Sequence, residues 1–239
     1  MLFSRRHNIA FAHYPKTAGS SVQRWFFDTF PDAELLDEEN PHLTVGQSLQ
    51  LMRPPRWQKR AVRLGRESLR IVSPYLAEQI RPFPESLRVI GVLRDPFDML
   101  VSLFEYWRRE PFDVEPADPF VQCARRGCFH DFVAAAVIGS RVHTYEQFFD
   151  VGGPLWASTY LLDFETIQPS LDRLCQTLEI RNHRPLPALN RAPSSGRDTA
   201  RYREEAGPLV AEVHRYFRWY HDEGVRLMIR GERQLRSAA

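Results

Sequence analysis

Residues 8–21 have the sequence NIAFAHYPKTAGSS, in which a short apolar run is followed by a polar turn. The run from Asn8 to His13 predicts a buried strand. From Ser20 onward, apolar residues recur at helical intervals, which predicts a helix of about three turns. A strand that passes through a polar turn into a helix indicates an α/β fold and places the turn at the helix N-terminus.

The turn from Pro15 to Ser21 has the features of an anion-binding loop. The first N–H groups of a helix have no partner within it, and the peptide dipoles add partial positive charge there, so an anionic group docks at this end. Gly19 allows the backbone to approach closely, and Lys16 supplies a full positive charge. Hydroxyl groups are offered by Thr17, Ser20 and Ser21. The turn therefore predicts a phosphate-binding site.

A second junction follows the strand predicted at residues 88–93, RVIGVL, which is apolar on both faces as in a central parallel strand. Asp95 is placed to cap the next helix and Pro96 to begin it. Further strands are predicted at 33–36 and 158–164, and helices at 44–52, 129–137, 166–178 and 204–228. This alternation predicts one α/β domain over residues 1–239, with a mostly parallel central sheet and helices on both faces.

The charge balance bears on the kind of partner that the protein binds. The formal net charge is only +2, which does not indicate a nucleic-acid partner. Lys16 and Lys59 are the only lysines among 32 basic residues, so a lysine inside a tight polar loop is notable. The arginine-rich stretch at 53–70 is interpreted as a solvated helix.

Cysteine usage and hydropathy bear on location. The three cysteines, Cys123, Cys128 and Cys175, are sparse and lack zinc-ligand spacing, which favours reduced thiols. The N-terminal apolar stretch is too short for a signal peptide, and no run approaches the roughly 18 apolar residues of a membrane span. We therefore expect a cytoplasmic protein without a signal peptide or a transmembrane segment.

Two motifs resemble those of a known family. His13 to Ser21, HYPKTAGSS, resembles the 5′-phosphosulfate loop of sulfotransferases that use 3′-phosphoadenosine 5′-phosphosulfate (PAPS), most closely in their carbohydrate branch. Arg94-Asp95-Pro96, with Ser102 eight positions after the arginine, is similar to the family's 3′-phosphate motif. The resemblance implies a three-layer α/β fold with a P-loop-like phosphosulfate-binding loop. It also implies that PAPS is consumed and 3′,5′-adenosine diphosphate (PAP) is released.

The resemblance also implies roles for particular residues. Lys16 would be catalytic and would bind the nucleotide. The other nucleotide-binding residues would be Thr17, Ala18, Gly19, Ser20, Ser21, Arg94, Ser102, Asn190 and Arg191, the last two from a late loop that closes over the nucleotide in relatives. Met99 departs from the pattern, since many members have an arginine there. No metal is required if Lys16 and the helix N-terminus neutralise the developing charge.

The acceptor hydroxyl needs a general base, and histidine has a suitable pKa. His42 is the first choice, because relatives place a catalytic histidine in this part of the chain. Alternatives are Glu38, Glu39, Glu105, His130 and His143. His13, at a strand end, is interpreted as a packed residue, and the aromatic residues at helical spacing, Trp25, Phe104, Tyr106 and Trp107, as core.

The sequence thus predicts an O-sulfotransferase that acts on a carbohydrate or glycoconjugate, with no nucleic-acid partner. A nucleotide kinase-like enzyme is one alternative. It is disfavoured because Lys16 precedes Gly19, whereas the lysine of G-x-x-x-x-G-K-[ST] follows a glycine. A non-catalytic nucleotide-binding protein of the same fold is another alternative. The acceptor and the oligomeric state stay open.

Overall fold

The structure is a computed structural model that describes residues 1–52, 87–109, 118–181, 183–189 and 199–228. The arginine-rich stretch 53–70 and the predicted nucleotide ligands Asn190 and Arg191 lie outside these ranges.

The described strands form one five-stranded mixed sheet in the order β3-β1-β2-β4-β5. The strands are β1 (Leu2–Ser4), β2 (Ile9–Phe11), β3 (Ala33–Leu35), β4 (Arg88–Leu93) and β5 (Thr159–Asp163). Strand β4 pairs in parallel with β2 and β5, whereas β1 pairs antiparallel with β2 and β3. The predicted α/β class is confirmed. The sheet is mixed because β1, which the sequence reasoning left out, enters it in the opposite direction.

Helices follow the strands of the parallel part. The helical bounds are α1 (Gly19–Thr29), α2 (Val45–Met52), α3 (Pro96–Arg109), α4 (Pro119–Arg125), α5 (Phe129–Val137), α6 (Tyr145–Phe149), α7 (Ile167–Thr177), α8 (Thr199–Ala206) and α9 (Leu209–Tyr216). A 3₁₀ turn spans Trp156–Ser158, and a π-helical turn spans Tyr220–Gly224.

The junction between β4 and α3 forms as its residues predict. Asp95 Oδ1 accepts hydrogen bonds from the backbone N–H groups of Phe97 at 2.9 Å and Asp98 at 3.0 Å. Pro96 is the first helical residue, a position where its missing N–H costs nothing. Asp98 adds a negative charge to the first turn, which suits the helix dipole.

The prediction of one continuous helix over 204–228 is wrong. Helix α8 ends at Ala206 and α9 begins at Leu209. Between them, Gly207 takes a φ of 54°, which favours glycine, and Pro208 has no N–H to continue the ladder. The amphipathic period runs through this break, because both helices bury apolar residues against the same cluster.

Strands β1, β2 and β4 bury both of their faces. Alternate residues Leu2, Phe11 and Val92 join a cluster with α1 and α7, which includes Trp25 and Leu174. The strand residues between them, whose side chains point to the other face of the sheet, join a larger cluster with α3, α5, α6, α8 and α9. They include Phe3, Ala10, Val89 and Leu93. Strand β2, and β4 after Arg88, are therefore apolar on both faces, as RVIGVL predicts, whereas β5 is only partly buried and ends at Asp163.

Gly91 tests the packing of β4, the middle one of the three parallel strands. A Cβ added there would lie 2.3 Å from the ring of Phe149, which is fully buried. We expect Gly91→Ala to lower the free energy of unfolding by about 1–3 kcal/mol, because the core must shift to admit the methyl group. Urea unfolding measures the change.

Gly46→Ala is the matched control, since its Cβ would meet Asp150 no closer than 3.8 Å. Helix α2 gains a better helix former there, so stability should be unchanged or slightly higher. An equal loss in the two variants would contradict the described packing.

Candidate functional site

The two sequence motifs meet at one edge of the sheet. Strands β2, β4 and β5 are parallel, so their carboxyl ends share an edge, which is where ligands bind in open α/β sheets. Arg94 follows β4, and its Nη1 donates a hydrogen bond to the backbone oxygen of Lys16, 3.0 Å away, in the loop after β2. Its Cζ lies 4.3 Å from the ring centroid of Phe164, which follows β5. Arg94 thus connects three strand ends.

The backbone of the loop is held in an uncommon conformation. Lys16 has φ 61° and Ala18 has φ 60°, values that few residues other than glycine adopt. The first bond of α1 runs from Val22 N to Ala18 O at 3.0 Å, so the N–H groups of residues 19–21 precede the helical ladder. The first turn carries no acidic residue. The positive end of the helix dipole is therefore not offset by a neighbouring carboxylate of that turn.

The three hydroxyl groups of the loop have different surroundings. Thr17 is buried, and its Oγ1 donates to Tyr14 O at 2.9 Å, so its proton serves the loop itself. Ser21 is also buried, and its Oγ accepts from Leu189 N at 3.2 Å. Ser20 is exposed at the start of α1. Of the three, Ser20 presents the solvent-facing hydroxyl, and Ser21 joins the loop to residues just before Asn190.

Gly19 is required for a reason that the sequence did not reveal. A Cβ at this position would lie 1.5 Å from Nε2 and 1.9 Å from Cδ2 of His13. The His13 ring fills the space that any other residue would need for its side chain. The group that approaches the Gly19 backbone closely is therefore the ring of His13, which follows β2.

Lys16 and helix α3 lie together. The Nζ of Lys16 is 4.1 Å from the ring centroid of Tyr106, within the range of a cation–π contact. Ser102, which is buried, lies one turn before Tyr106 and so on the same face of α3. Helix α3 therefore brings the second motif towards Lys16.

Tyr106 differs from the other aromatic residues that the sequence assigned to the core. Trp25 and Phe104 are fully buried, and Trp107 packs against the core, whereas Tyr106 is 43% exposed. Sequence reasoning missed Tyr106 as a site residue, although its spacing of four residues from Ser102 was a usable signal. Phe164 was also missed, and its position as the last residue of the predicted strand at 158–164 was the only signal.

His42, the predicted base, lies beside the phosphate loop. Its Nδ1 is 3.0 Å from the backbone oxygen of His13, and the two rings meet edge to face with centroids 4.5 Å apart. Partial burial lowers the pKa of His42; the bond to His13 opposes this shift, and the charges of the N-terminal amine and Lys16 add to it. Burial, with the same charges and His42, lowers the pKa of His13 to about 3.

The other candidate bases have different partners. Glu105 is buried and accepts hydrogen bonds from Tyr202 and Arg109. Burial alone would raise the pKa of Glu105, but these donors lower it overall. His130 lies beside Asp131 on the surface, and His143, Glu38 and Glu39 are exposed. The charge of Lys16 contributes to the pKa of His42, whereas the charges that act on Glu105 are those of Arg108 and Arg109.

None of the helices described is both long enough and apolar enough to cross a membrane. Within the described ranges, no group of three or more His, Cys, Asp or Glu side chains is arranged to hold a metal ion.

Comparisons with protein-family models, with curated proteins and with solved structures gave no match for this chain. Its function must therefore be inferred from the site itself.

The burial of His13 predicts a pH dependence of stability. The unfolded chain protonates His13 near its ordinary pKa of 6.5, whereas the folded chain does so only near 3. Between these values the unfolded state binds more protons, so the free energy of unfolding falls as the pH falls, by up to about 1.4 kcal/mol per pH unit.

We expect this dependence to be shallower in His13→Phe, which keeps a ring of similar size but cannot titrate. Urea unfolding of both proteins between about pH 7 and about pH 4 measures the two slopes. If the free energies of unfolding of the two proteins fell equally with falling pH, His13 would be solvated in the folded protein.

Proposed function

We propose that the protein is a PAPS-dependent O-sulfotransferase built as a three-layer α/β fold with a P-loop-like phosphosulfate-binding loop. The observation that carries this proposal is the contact between Arg94 Nη1 and Lys16 O, 78 residues apart in sequence. It joins two motifs that each resemble half of a PAPS site. One anion-binding loop alone would suit any phosphate, whereas two joined sites suit a nucleotide with phosphates at both ends of its ribose.

The donor groups at the site fit the two ends of PAPS. The start of α1, the ammonium of Lys16 and the exposed hydroxyl of Ser20 suit the 5′-phosphosulfate. Arg94 and Ser102 suit the 3′-phosphate, because a guanidinium has five N–H donors and can serve the loop and an anion together. Asn190 and Arg191 keep their predicted role at the nucleotide, and they lie outside the described residues.

PAPS supplies an activated sulfuryl group. In the transfer, the acceptor hydroxyl oxygen forms a bond to sulfur, and the bond between sulfur and the 5′-phosphate oxygen breaks. The electron pair stays on the phosphate of PAP, where Lys16 and the N-terminus of α1 stabilise the negative charge that develops. His42 takes the hydroxyl proton and later releases it to solvent. The chain contributes positioning, charge stabilisation and one proton acceptor.

Carbohydrate or glycoconjugate acceptors, activity without a metal, and a cytoplasmic location stay predictions from the resemblance and from composition. The kinase alternative gains no support from the described geometry. The loop presents Lys16 before Gly19, at a φ of 61°, rather than after a second glycine.

Transfer of labelled sulfate from PAPS to a panel of sugars, glycans and small hydroxyl compounds tests the function. We expect transfer by the wild type without added metal, and a fall in kcat of at least ~10² in Lys16→Ala, because the charge opposite the leaving oxygen is lost. Lys59→Ala, which removes the other lysine, is the control. Near-normal turnover by Lys16→Ala would contradict the role of Lys16, and binding of ATP–Mg²⁺ but not of PAP would favour a kinase.

Ser102→Ala tests the assignment of the 3′-phosphate. We expect this variant to bind PAP about tenfold more weakly, through loss of a hydrogen bond to a charged group, and to bind 5′-AMP as the wild type does. Ser48→Ala is the control, since Ser48 is also buried but belongs to α2. Isothermal titration calorimetry measures both affinities. If Ser102→Ala lowered the affinities for PAP and for 5′-AMP equally, or lowered neither of them, Ser102 would not hold the 3′-phosphate.

A further inference from the structure

We infer that His13 is a positioning residue that couples the general base His42 to the phosphosulfate loop. Its backbone carbonyl fixes the hydrogen-bonding state of His42, and its ring fits against Gly19 in the loop. This inference rests on the proposed function and adds a residue to it.

The first step concerns the tautomer of His42. A carbonyl oxygen only accepts hydrogen bonds, so the contact of 3.0 Å between His42 Nδ1 and His13 O requires the proton on Nδ1. The lone pair of the neutral ring is then on Nε2. A base that takes a proton from a hydroxyl needs such a lone pair, and the second nitrogen of a histidine is commonly set in this way.

The second step concerns the groups that surround His42. The His13 ring meets it edge to face at 4.5 Å. The N-terminal amine of Met1 and the ammonium of Lys16 add positive charge nearby. These surroundings disfavour a second proton on the His42 ring. His42 is therefore ready to accept a proton at neutral pH and returns it easily to solvent afterwards.

The third step concerns the loop. The His13 ring occupies the position where a Cβ of Gly19 would lie, and Gly19 is the first residue of α1. The same side chain thus contacts the base and the anion-binding helix end. A displacement of His13 would change the distance between the proton acceptor and the sulfuryl group, and misplacement by about 1 Å can cost about 10² in rate.

The test compares His13→Ala with His13→Phe. His13→Ala should lower kcat by about tenfold, leave the affinity for PAP within about twofold, and move the acidic limb of the pH–rate profile upward, because His42 regains water. His13→Phe should recover most of the loss, since it restores the ring contact. His214→Ala, which removes an exposed histidine on α9, should leave all three unchanged.

A spectroscopic readout is independent of turnover. Long-range ¹H–¹⁵N correlation spectra of the wild type should show His42 with its proton on Nδ1, and His13→Ala, which keeps the backbone oxygen of residue 13, should show the same tautomer but a higher pKa of the His42 ring. If wild type transfers sulfate but His13→Ala keeps its kcat and its pH profile, or if His42 of the wild type carries its proton on Nε2, the positioning role is wrong. Absence of transfer and of PAP binding in the wild type would instead contradict the proposed function, and the spectra would still report on His13.

A second pair of variants tests the contact with the loop. Gly19→Ala should abolish PAP binding, because its methyl group collides with the His13 ring. Adding His13→Ala to Gly19→Ala should restore PAP binding by at least about tenfold, because the ring is gone. Failure of this second substitution to restore any binding would contradict the fit of His13 against Gly19.

Discussion

The hydrogen bond from the Arg94 guanidinium to Lys16 O is the contact on which the site depends. Arg94 is buried, with 8% of its surface exposed, and directly follows β4, the middle one of the three parallel strands. It holds the carbonyl of a residue at φ 61°, a conformation that costs free energy and persists only where the surroundings impose it. The loop therefore depends on a side chain from the next parallel strand. An arginine in this position has both a structural and a proposed nucleotide-binding role, so loss of Arg94 alone would not separate them.

The loop is held from its other side by His13. The ring of His13 fits against Gly19, and its backbone oxygen accepts from His42. The proposed anion site, which comprises the loop and the N-terminal end of α1, thus contacts residues that follow both β4 and β2. This arrangement explains how a short loop with two non-glycine residues at positive φ keeps one conformation. The proposed base and the proposed phosphosulfate site both contact His13. In-line transfer requires that the two keep a fixed distance from each other.

Much of the fold could be predicted, because the parallel strands and their helices carry strong local signals. Strand β4 and helix α5 match their predicted bounds, and Asp95 caps α3 as expected. Strand β1 was missed because the N-terminal apolar stretch was weighed only as a signal peptide or a membrane span, and because the pairing of β1 with β3 joins residues distant in sequence. The break at Gly207 was missed because the apolar period continues across it. The roles of Lys16, Arg94 and Ser102 stay predictions, made from the polar loop and from the family resemblance, whereas the contacts made by His13, Tyr106 and Phe164 arise only when separate strands and helices meet.

A crystal structure of the protein with PAP bound tests the central claim most directly. The account predicts the 5′-phosphate at the N-terminus of α1 beside Lys16 and the 3′-phosphate beside Arg94 and Ser102, with Nε2 of His42 facing the position that the sulfuryl group would occupy. A nucleotide bound in the opposite direction, or away from the contact between Arg94 and Lys16, would contradict it.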